Sequence, residues 1–296
     1  MDFGSHYQFL KRSWRTVIPR TLAISLSLIG VAILLIWEWP APPVAQEIFW
    51  QPNNESLRPA GFWNQIGVHT LVVQWTITNK KAWCSIPNFP AWKSQPDWKR
   101  LSEEPWARQI VLGLAGDFQV PLARSQSTKL ITESWKIVGQ PPIKPTAWYA
   151  PAEVSPGWKN TKQIRAYLDS LPKPLWVSIY GTQKLHGKTL VRWVRSWLPH
   201  RVGLYYQDGV GEGWATPAEA RRQVDTLKKA LGKQRVRVIV EAYQESASGK
   251  IEATSIWSVW HQLQVFHGNT VAIFSTQQFG ILQTFEIKAL DLLYGK

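Results

Sequence analysis

The chain has 296 residues, 19 of them tryptophan, and a formal net charge of +14. The single cysteine, Cys84, excludes an intramolecular disulfide, and the lack of a cysteine pair or a His-x-His spacing argues against a structural zinc site. A basic chain attracts anionic polymers or membrane surfaces, but the sequence has no nucleic-acid recognition motif. We therefore expect no nucleic-acid partner.

An uncharged apolar segment, Thr21–Trp37, follows a basic tail formed by residues 1–20. Its length falls within the roughly 17–25 residues of a membrane-spanning helix, and the basic tail places the N-terminus in the cytoplasm. We predict a single-pass inner-membrane anchor over residues 21–39, with the rest of the chain on the periplasmic side. The alternative is a cleaved signal peptide with a poor cleavage site at Pro43-Val44-Ala45.

A proline-rich linker, residues 40–46, leads into residues 47–296, where apolar runs alternate with amphipathic segments. This alternation is typical of βαβ units, and about 250 residues suit one (β/α)8 barrel. The predicted strands are Ile48–Gln51, Thr70–Trp75, Gln109–Leu114, Thr146–Ala150, Leu175–Tyr180, Val202–Gln207, Arg235–Val240 and Thr270–Ser275. The predicted helices are Leu57–Ile66, Asp97–Arg108, Ser127–Val138, Thr161–Leu171, Lys188–Leu198, Pro217–Leu231, Ser255–Phe266 and Gln278–Leu293. We therefore predict an α/β fold, a TIM-type barrel preceded by one transmembrane helix.

The helix Pro217–Leu231 has the clearest local signals. Thr216 and Glu219 form a capping-box pattern with proline at the first helical position, and Gly232 supplies a stop. The segment Asp97–Arg108 is the weakest helix of the series, because Pro105 interrupts it.

Three predicted strands end in or just before a carboxylate: Glu153, Asp208 and Glu241. The C-terminal strand ends are where TIM barrels carry out their chemistry, and glycoside hydrolysis needs two carboxyl groups beside the scissile bond. We predict Glu153 as the general acid/base, Glu241 as the nucleophile and Asp208 as an auxiliary that positions the substrate. The alternative for each is a loop carboxylate that caps a helix or pairs with an arginine. No metal or organic cofactor is required for this chemistry.

Aromatic and amide side chains cluster near the same predicted strand ends. Aromatic rings stack on the apolar faces of sugars, and glutamine amides can donate to and accept from neutral hydroxyls. Most of the tryptophans are expected to pack in the core, but Trp214 lies in the glycine-rich loop Gly209–Trp214 and is the best candidate to stack on a ligand. The predicted substrate-binding residues are Gln51, Gln74, Trp75, Tyr149, Tyr180, Tyr206, Gln207 and Trp214.

Four stretches of the sequence resemble an exported bacterial family, domain of unknown function 4434, which is grouped with glycoside-hydrolase-like TIM barrels. These stretches are Phe49–Pro52, Leu71–Thr76, Trp148–Glu153 and Tyr206–Gly211, and the similarity extends over most of residues 47–280. The resemblance implies a barrel that processes sugars, with Glu153, Asp208 and Glu241 as pocket carboxylates accompanied by Gln74 and Trp75.

Together these features favour a membrane-anchored, periplasm-facing barrel that binds a polysaccharide or oligosaccharide and hydrolyses it, in exopolysaccharide or cell-envelope metabolism. The main alternative is a non-catalytic sugar-binding or scaffolding subunit that works with exopolysaccharide synthesis or export proteins. A third interpretation, an anchored structural protein without a ligand, predicts a barrel mouth filled by side chains.

Overall fold

The computed structural model describes residues 22, 25–27, 30–31, 43–117, 127–182, 184–246 and 248–295. Within these residues, no helix is both long enough and apolar enough to cross a bilayer. The predicted tail and anchor, residues 1–39, lie almost entirely outside the described residues, and the anchor stays a prediction.

The described residues contain twelve β-strands. In chain order they are β1 (Glu47–Trp50), β2 (Thr70–Val73), β3 (Ile77–Thr78), β4 (Lys81–Ala82), β5 (Gln109–Gly113), β6 (Ala147–Val154), β7 (Leu175–Ile179), β8 (Val202–Gln207), β9 (Val236–Glu241), β10 (Tyr243–Glu245), β11 (Ile251–Ala253) and β12 (Val271–Phe274). Eight of them close a barrel in the order β1-β2-β5-β6-β7-β8-β9-β12, and every pair of neighbours in it is parallel. The predicted TIM-type barrel is therefore confirmed, and each of its predicted strands overlaps an observed one.

Helices follow most of the barrel strands. They are α1 (Trp98–Glu103), α2 (Ser127–Gly139), α3 (Thr161–Asp169), α4 (Gly187–Trp197), α5 (Pro217–Leu231), α6 (Ile256–Val265) and α7 (Ile281–Tyr294), with 3-10 turns at Trp63–Ile66 and Lys233–Arg235. Helix α5 has the predicted bounds and the predicted capping box, in which the Thr216 hydroxyl accepts from the Glu219 N–H and the Glu219 carboxylate accepts from the Thr216 N–H.

The prediction of a helix over Leu57–Ile66 was wrong, because only the 3-10 turn Trp63–Ile66 forms there. Pro59 and Gly61 disfavour a continuous α-helix through this segment. Helix α1 is also shorter than predicted and ends at Glu103, since the residue before Pro105 takes an extended conformation. The first units of the barrel therefore have less helical cover than the sequence pattern suggested.

Alternate residues of the barrel strands point inward and fill the barrel with a buried, mostly aromatic and aliphatic cluster. Its members are Phe49, Val72, Val111, Ala147, Tyr149, Trp176, Tyr205, Ile239 and Ala272. Gly203 makes space for the Trp176 indole, because a Cβ at this position would lie 2.3 Å from the ring. The interior of the barrel is thus packed with side chains rather than open.

A polar network occupies the N-terminal end of the barrel interior. The buried Glu47 carboxylate accepts from Arg237 at 2.5 Å and from the Tyr205 hydroxyl at 2.7 Å. The Arg237 guanidinium stacks on the Trp176 ring at 3.7 Å from its centroid. Burial raises the pKa of Glu47, and the charge of Arg237 opposes that shift. Both carboxylate oxygens of Glu47 therefore have partners, as a structural buried acid requires.

Candidate active site

Glu153 lies near the end of β6, where the strand departs from regular geometry. The register between β6 and β7 shifts between Ala150 and Val154, and Glu153 has a φ of +41°, which is rare for a side chain other than glycine. The Gln74 amide donates to its carboxylate at 2.9 Å. Burial raises the pKa of Glu153, and the charge of Glu212 adds to the shift. Glu153 is therefore held by a residue that follows β2, two strands away in the barrel, and it binds its proton more tightly than a free glutamate does.

Glu241 is the last residue of β9 and is 1% exposed. Its Oε2 atom accepts from the backbone N–H groups of Gly211 at 2.8 Å and Glu212 at 3.3 Å. Its Oε1 atom accepts no hydrogen bond from the described residues. Burial, together with the charge of Glu212, raises the pKa of Glu241 to about 7. Near neutral pH the Glu241 carboxyl is therefore present in both its protonated and its ionised form.

Asp208 directly follows β8 and is also 1% exposed. Its Oδ1 atom accepts from the Val210 N–H at 3.2 Å, whereas Oδ2 has no partner among the described residues. Burial raises the pKa of Asp208 well above its usual range, and the nearby charge of Glu241 raises it further. The two carboxyl groups are therefore electrostatically coupled.

Glu153 and Glu241 line one cavity at the C-terminal ends of the barrel strands. The cavity has a volume of about 310 Å³ and is lined by Glu153, Tyr180, Gln207, Glu212, Ile239, Glu241, Tyr243 and Phe274. A smaller pocket adjoins it, shares Tyr180, Gln207 and Glu241 with it, and is also lined by Tyr206, Asp208 and Trp214. The mouth of the barrel is therefore concave rather than filled, and the cavity lies in the size range of ligand sites.

Three residues predicted to bind substrate lie elsewhere in the structure. Tyr149 points into the barrel as expected, but it lies within the packed interior and its hydroxyl is 2.8 Å from that of Ser178. Trp75 is buried, and its indole N–H donates to the Pro52 carbonyl. Gln51 is half-buried and does not line either pocket. Gln74 reaches the cavity only through its hydrogen bond to Glu153.

Sequence reasoning missed Glu212, Ile239, Tyr243 and Phe274, which all line the cavity. Glu212 lies inside the glycine-rich loop Gly209–Trp214, which contains the predicted ligand-stacking residue Trp214. The position of this loop could therefore have identified Glu212 as a cavity residue. Tyr243 follows Glu241 by two residues, which is the spacing of residues on one side of a strand. Ile239 precedes Glu241 by the same spacing, and its inward direction follows from that alternation.

Two solved structures have the same overall fold as this chain. A protein from Bacteroides thetaiotaomicron assigned as an alpha-L-fucosidase is 14% identical, with a TM-score of 0.59 over 87% of this chain and 95% of that one. The PgaB (BpsB) glycoside hydrolase domain from Bordetella bronchiseptica is 12% identical, with a TM-score of 0.51 over 84% and 98%. The chain thus shares the TIM-barrel fold of these two proteins.

No protein-family model and no curated protein matches the sequence. The resemblance to domain of unknown function 4434 therefore stays a prediction, as do the roles of the individual site residues.

Proposed function

We propose that this chain is a glycoside hydrolase that cleaves a polysaccharide by a two-carboxylate mechanism. One observation carries the proposal: Glu153 and Glu241, from different strand ends, line the same cavity of about 310 Å³. Carboxyl groups held in a cavity without counter-charges are costly, and two in one cavity match the requirement of glycosidic bond cleavage. The glycoside-hydrolase-like fold supports this assignment, since PgaB, a protein of that fold, contains a glycoside hydrolase domain.

In the proposed reaction, protonated Glu153 donates its proton to the glycosidic oxygen as that bond breaks. The Glu241 carboxylate attacks the anomeric carbon with its unpartnered Oε1, while the Gly211 and Glu212 amides hold Oε2. Glu153, now ionised, takes a proton from water, which attacks the anomeric carbon and releases Glu241. Asp208 orients a sugar hydroxyl next to Glu241. Gln74 keeps the Glu153 carboxyl aimed at the cavity.

We further propose that the apolar segment Thr21–Trp37 anchors the barrel to the inner membrane, with the barrel on the periplasmic side. Its length, its lack of charge and the basic tail before it support this topology. In this setting the barrel acts on exopolysaccharide or cell-envelope glycans, next to the proteins that make or export them. A phosphatase reporter fused after Lys296 should be active, because this enzyme works only outside the cytoplasm; an inactive, fully expressed fusion contradicts the topology.

The hydrolase proposal is tested by a glycan screen with the purified full-length chain. Glu153→Gln and Glu241→Gln should each lower the rate of product release by about 10²- to 10⁴-fold, because each removes a group that transfers a proton or attacks carbon. Glu103→Gln is the matched control, since Glu103 is exposed on α1 and does not line the cavity. Product release by both site variants at the wild-type rate contradicts the proposed roles. Oligosaccharide binding without any turnover favours the non-catalytic sugar-binding subunit instead.

A further inference from the structure

A groove on the outside of the barrel, between α4 and α5, carries much of the positive charge of this part of the chain. It has a volume of about 690 Å³ and shares no lining residue with the two pockets at the barrel mouth. Four exposed cations line it: Lys188, Arg192 and Arg195 from α4, and Lys229 from α5. Among the described residues that line the groove there is no aspartate or glutamate. Both walls of the groove therefore present positive charge.

The charges on α4 are not balanced by acids of the protein. The helix Gly187–Trp197 contains no acidic residue, and Lys188, Arg192 and Arg195 follow one another at spacings of four and three, which places them on one face. In the described part of the chain, none of the four groove cations forms an ion pair with a carboxylate. Like charges at these spacings destabilise a helix. An anionic ligand would therefore relieve a repulsion that the protein itself does not compensate.

Hydrogen bonds between the two helices hold the groove at both of its ends. At the start of α4, the Gly187 N–H donates to the Gln223 side-chain oxygen at 3.2 Å. Near the end of α4, the Arg195 guanidinium donates to the Ala230 carbonyl at 2.6 Å, which uses one of its five N–H donors. Val191 and Ala230 add apolar surface between the cations. The groove is thus preformed, which lowers the entropy cost of binding.

The groove begins close along the chain to the mouth of the barrel. Gly181 and Thr182 line the smaller pocket at the mouth, and Gly187 lines the groove. Gly187 follows Gly181 by six residues, so their Cα atoms are at most about 22 Å apart. A polymer bound in the mouth can therefore extend into the groove. A flat membrane surface, in contrast, contacts only the rim of a groove between two helices.

Resting on the proposed function, we propose that the substrate is an acidic polysaccharide, and that the groove between α4 and α5 binds the carboxylates of its uronic acid residues. A guanidinium binds a carboxylate through two parallel hydrogen bonds, and Arg192 and Arg195 supply two such groups. The cavity at the mouth is itself lined by Glu153, Glu212 and Glu241, which repel a uronic acid. The sugars beside the cleaved bond are therefore neutral, and the acidic sugars of the same chain lie in the groove.

The test compares octagalacturonate, an oligomer of uronic acids, with its methyl ester, which has the same length and linkage but no charge. Binding to the full-length chain in phosphatidylcholine nanodiscs is measured by calorimetry at about 0.15 M salt. The variants are Arg192→Gln, Lys229→Gln and the double variant, which remove charge from opposite walls of the groove. Arg108→Gln and Lys99→Gln are the matched controls, since both side chains are exposed and do not line the groove. Circular dichroism confirms that each variant is folded.

Wild type should bind octagalacturonate at least about tenfold more tightly than its methyl ester, because only the acid forms charge-assisted hydrogen bonds. Each single variant should lose about threefold in affinity for octagalacturonate, and the double variant about tenfold, because exposed ion pairs are individually weak and separate sites add. Each control should change the affinity by less than about 1.5-fold. Equal binding of acid and ester by wild type overturns the inference, as does an unchanged affinity in the folded double variant or an equal loss in the controls.

Two further ligands distinguish a polysaccharide from other anions. Octaglutamate has its carboxylates on a peptide, and dihexanoylphosphatidylglycerol presents a lipid headgroup. Octagalacturonate should bind at least about threefold more tightly than octaglutamate, because its sugar rings also contact the apolar surface of the groove. Equal binding of octaglutamate shows a general site for anionic polymers and overturns the inference. Tighter binding of the lipid, weakened in the double variant, assigns the groove to the membrane and overturns it as well.

The same samples separate this inference from the proposed function. Release of reducing ends from neutral and acidic glycans is measured in parallel with binding. Selective binding of octagalacturonate by a chain that releases no product from any glycan contradicts the hydrolase and supports the groove as a site for acidic sugars. Release from neutral glycans by a chain that does not prefer octagalacturonate to its ester supports the hydrolase and overturns the groove.

Discussion

A glutamate is buried at each end of the barrel interior, but only the one at the N-terminal end has a cation beside it. At the N-terminal end, Glu47 receives hydrogen bonds from Arg237 and Tyr205 on both oxygens. At the C-terminal end, Glu241 is held through one oxygen by backbone amides, and its other oxygen has no partner among the described residues. Both glutamates belong to barrel strands, Glu47 to β1 and Glu241 to β9.

This difference separates a structural acid from a reactive one. A buried carboxylate with a matched cation is locked in one state and can neither attack nor exchange a proton easily. A buried carboxyl group without a cation favours protonation and keeps an oxygen available for a ligand. One end of the barrel therefore provides a stabilising network and the other a candidate reactive site. The difference is that Arg237 lies beside Glu47, at the N-terminal end.

The largest expected effect comes from breaking the N-terminal network. Arg237→Met should lower the free energy of unfolding by about 3–5 kcal/mol, because it leaves Glu47 buried and without its cation. Urea unfolding of the full-length chain measures the loss. The exposed Arg201 provides the control Arg201→Met, which should change stability by less than about 0.5 kcal/mol. A loss below about 1 kcal/mol for Arg237→Met shows that the network does not stabilise the barrel.

A somewhat smaller change in the free energy of unfolding is expected at the C-terminal end, where substitution of the glutamate should stabilise the chain. Because burial raises the pKa of Glu241 to about 7 in the folded state, the folded chain keeps a proton that the unfolded chain loses. The contribution of Glu241 to stability is thus complete below about pH 4.5 and is lost as the pH rises through about 7, at a cost of about 3 kcal/mol. Glu241→Gln should remove this part of the pH dependence and be more stable than wild type at pH 8.

Urea unfolding between pH 4.5 and pH 8 tests the prediction for Glu241. Asp208, Glu153 and Glu212 also have raised pKa values because of their burial, so a residual decrease with pH should remain in Glu241→Gln. The control Glu103→Gln should follow the wild-type curve. If Glu241→Gln follows the wild-type curve as well, the uncompensated charge is not located at Glu241.

The fold could be predicted from the sequence where the signals are local. The bounds of Val202–Gln207 and Pro217–Leu231 were correct, because an uninterrupted apolar run and a capping box are both short-range features. The predicted helix over Leu57–Ile66 was wrong, because Pro59 and Gly61 within this segment outweighed its apolar pattern. Chain order and strand number then followed from the βαβ rules.

The site could be predicted only in part. Glu241 could be anticipated because strand position alone directs it to the mouth of the barrel. Tyr149 was directed inward by the same rule, but its depth in the barrel depends on packing against residues far away in the sequence. Glu212 enters the cavity because Gly211 and Glu212 donate to Glu241, a contact between residues about thirty positions apart. No local pattern encodes such a contact.

The smallest expected effect concerns the contribution of Tyr243 to the pKa values of the acids at the C-terminal end. Tyr243→Phe removes the hydroxyl that donates to Glu212 at 3.0 Å, and unfolding free energy should fall by about 1 kcal/mol. This hydroxyl lowers the pKa of both Glu212 and Glu241 against the larger effect of burial, so its loss should move the acid limb of the hydrolysis profile to higher pH. The exposed Tyr294 gives the control Tyr294→Phe, which should leave the profile in place. A shift of Tyr243→Phe to lower pH means that the acid limb reports a group outside this cluster, and the proposed role of Glu241 then fails.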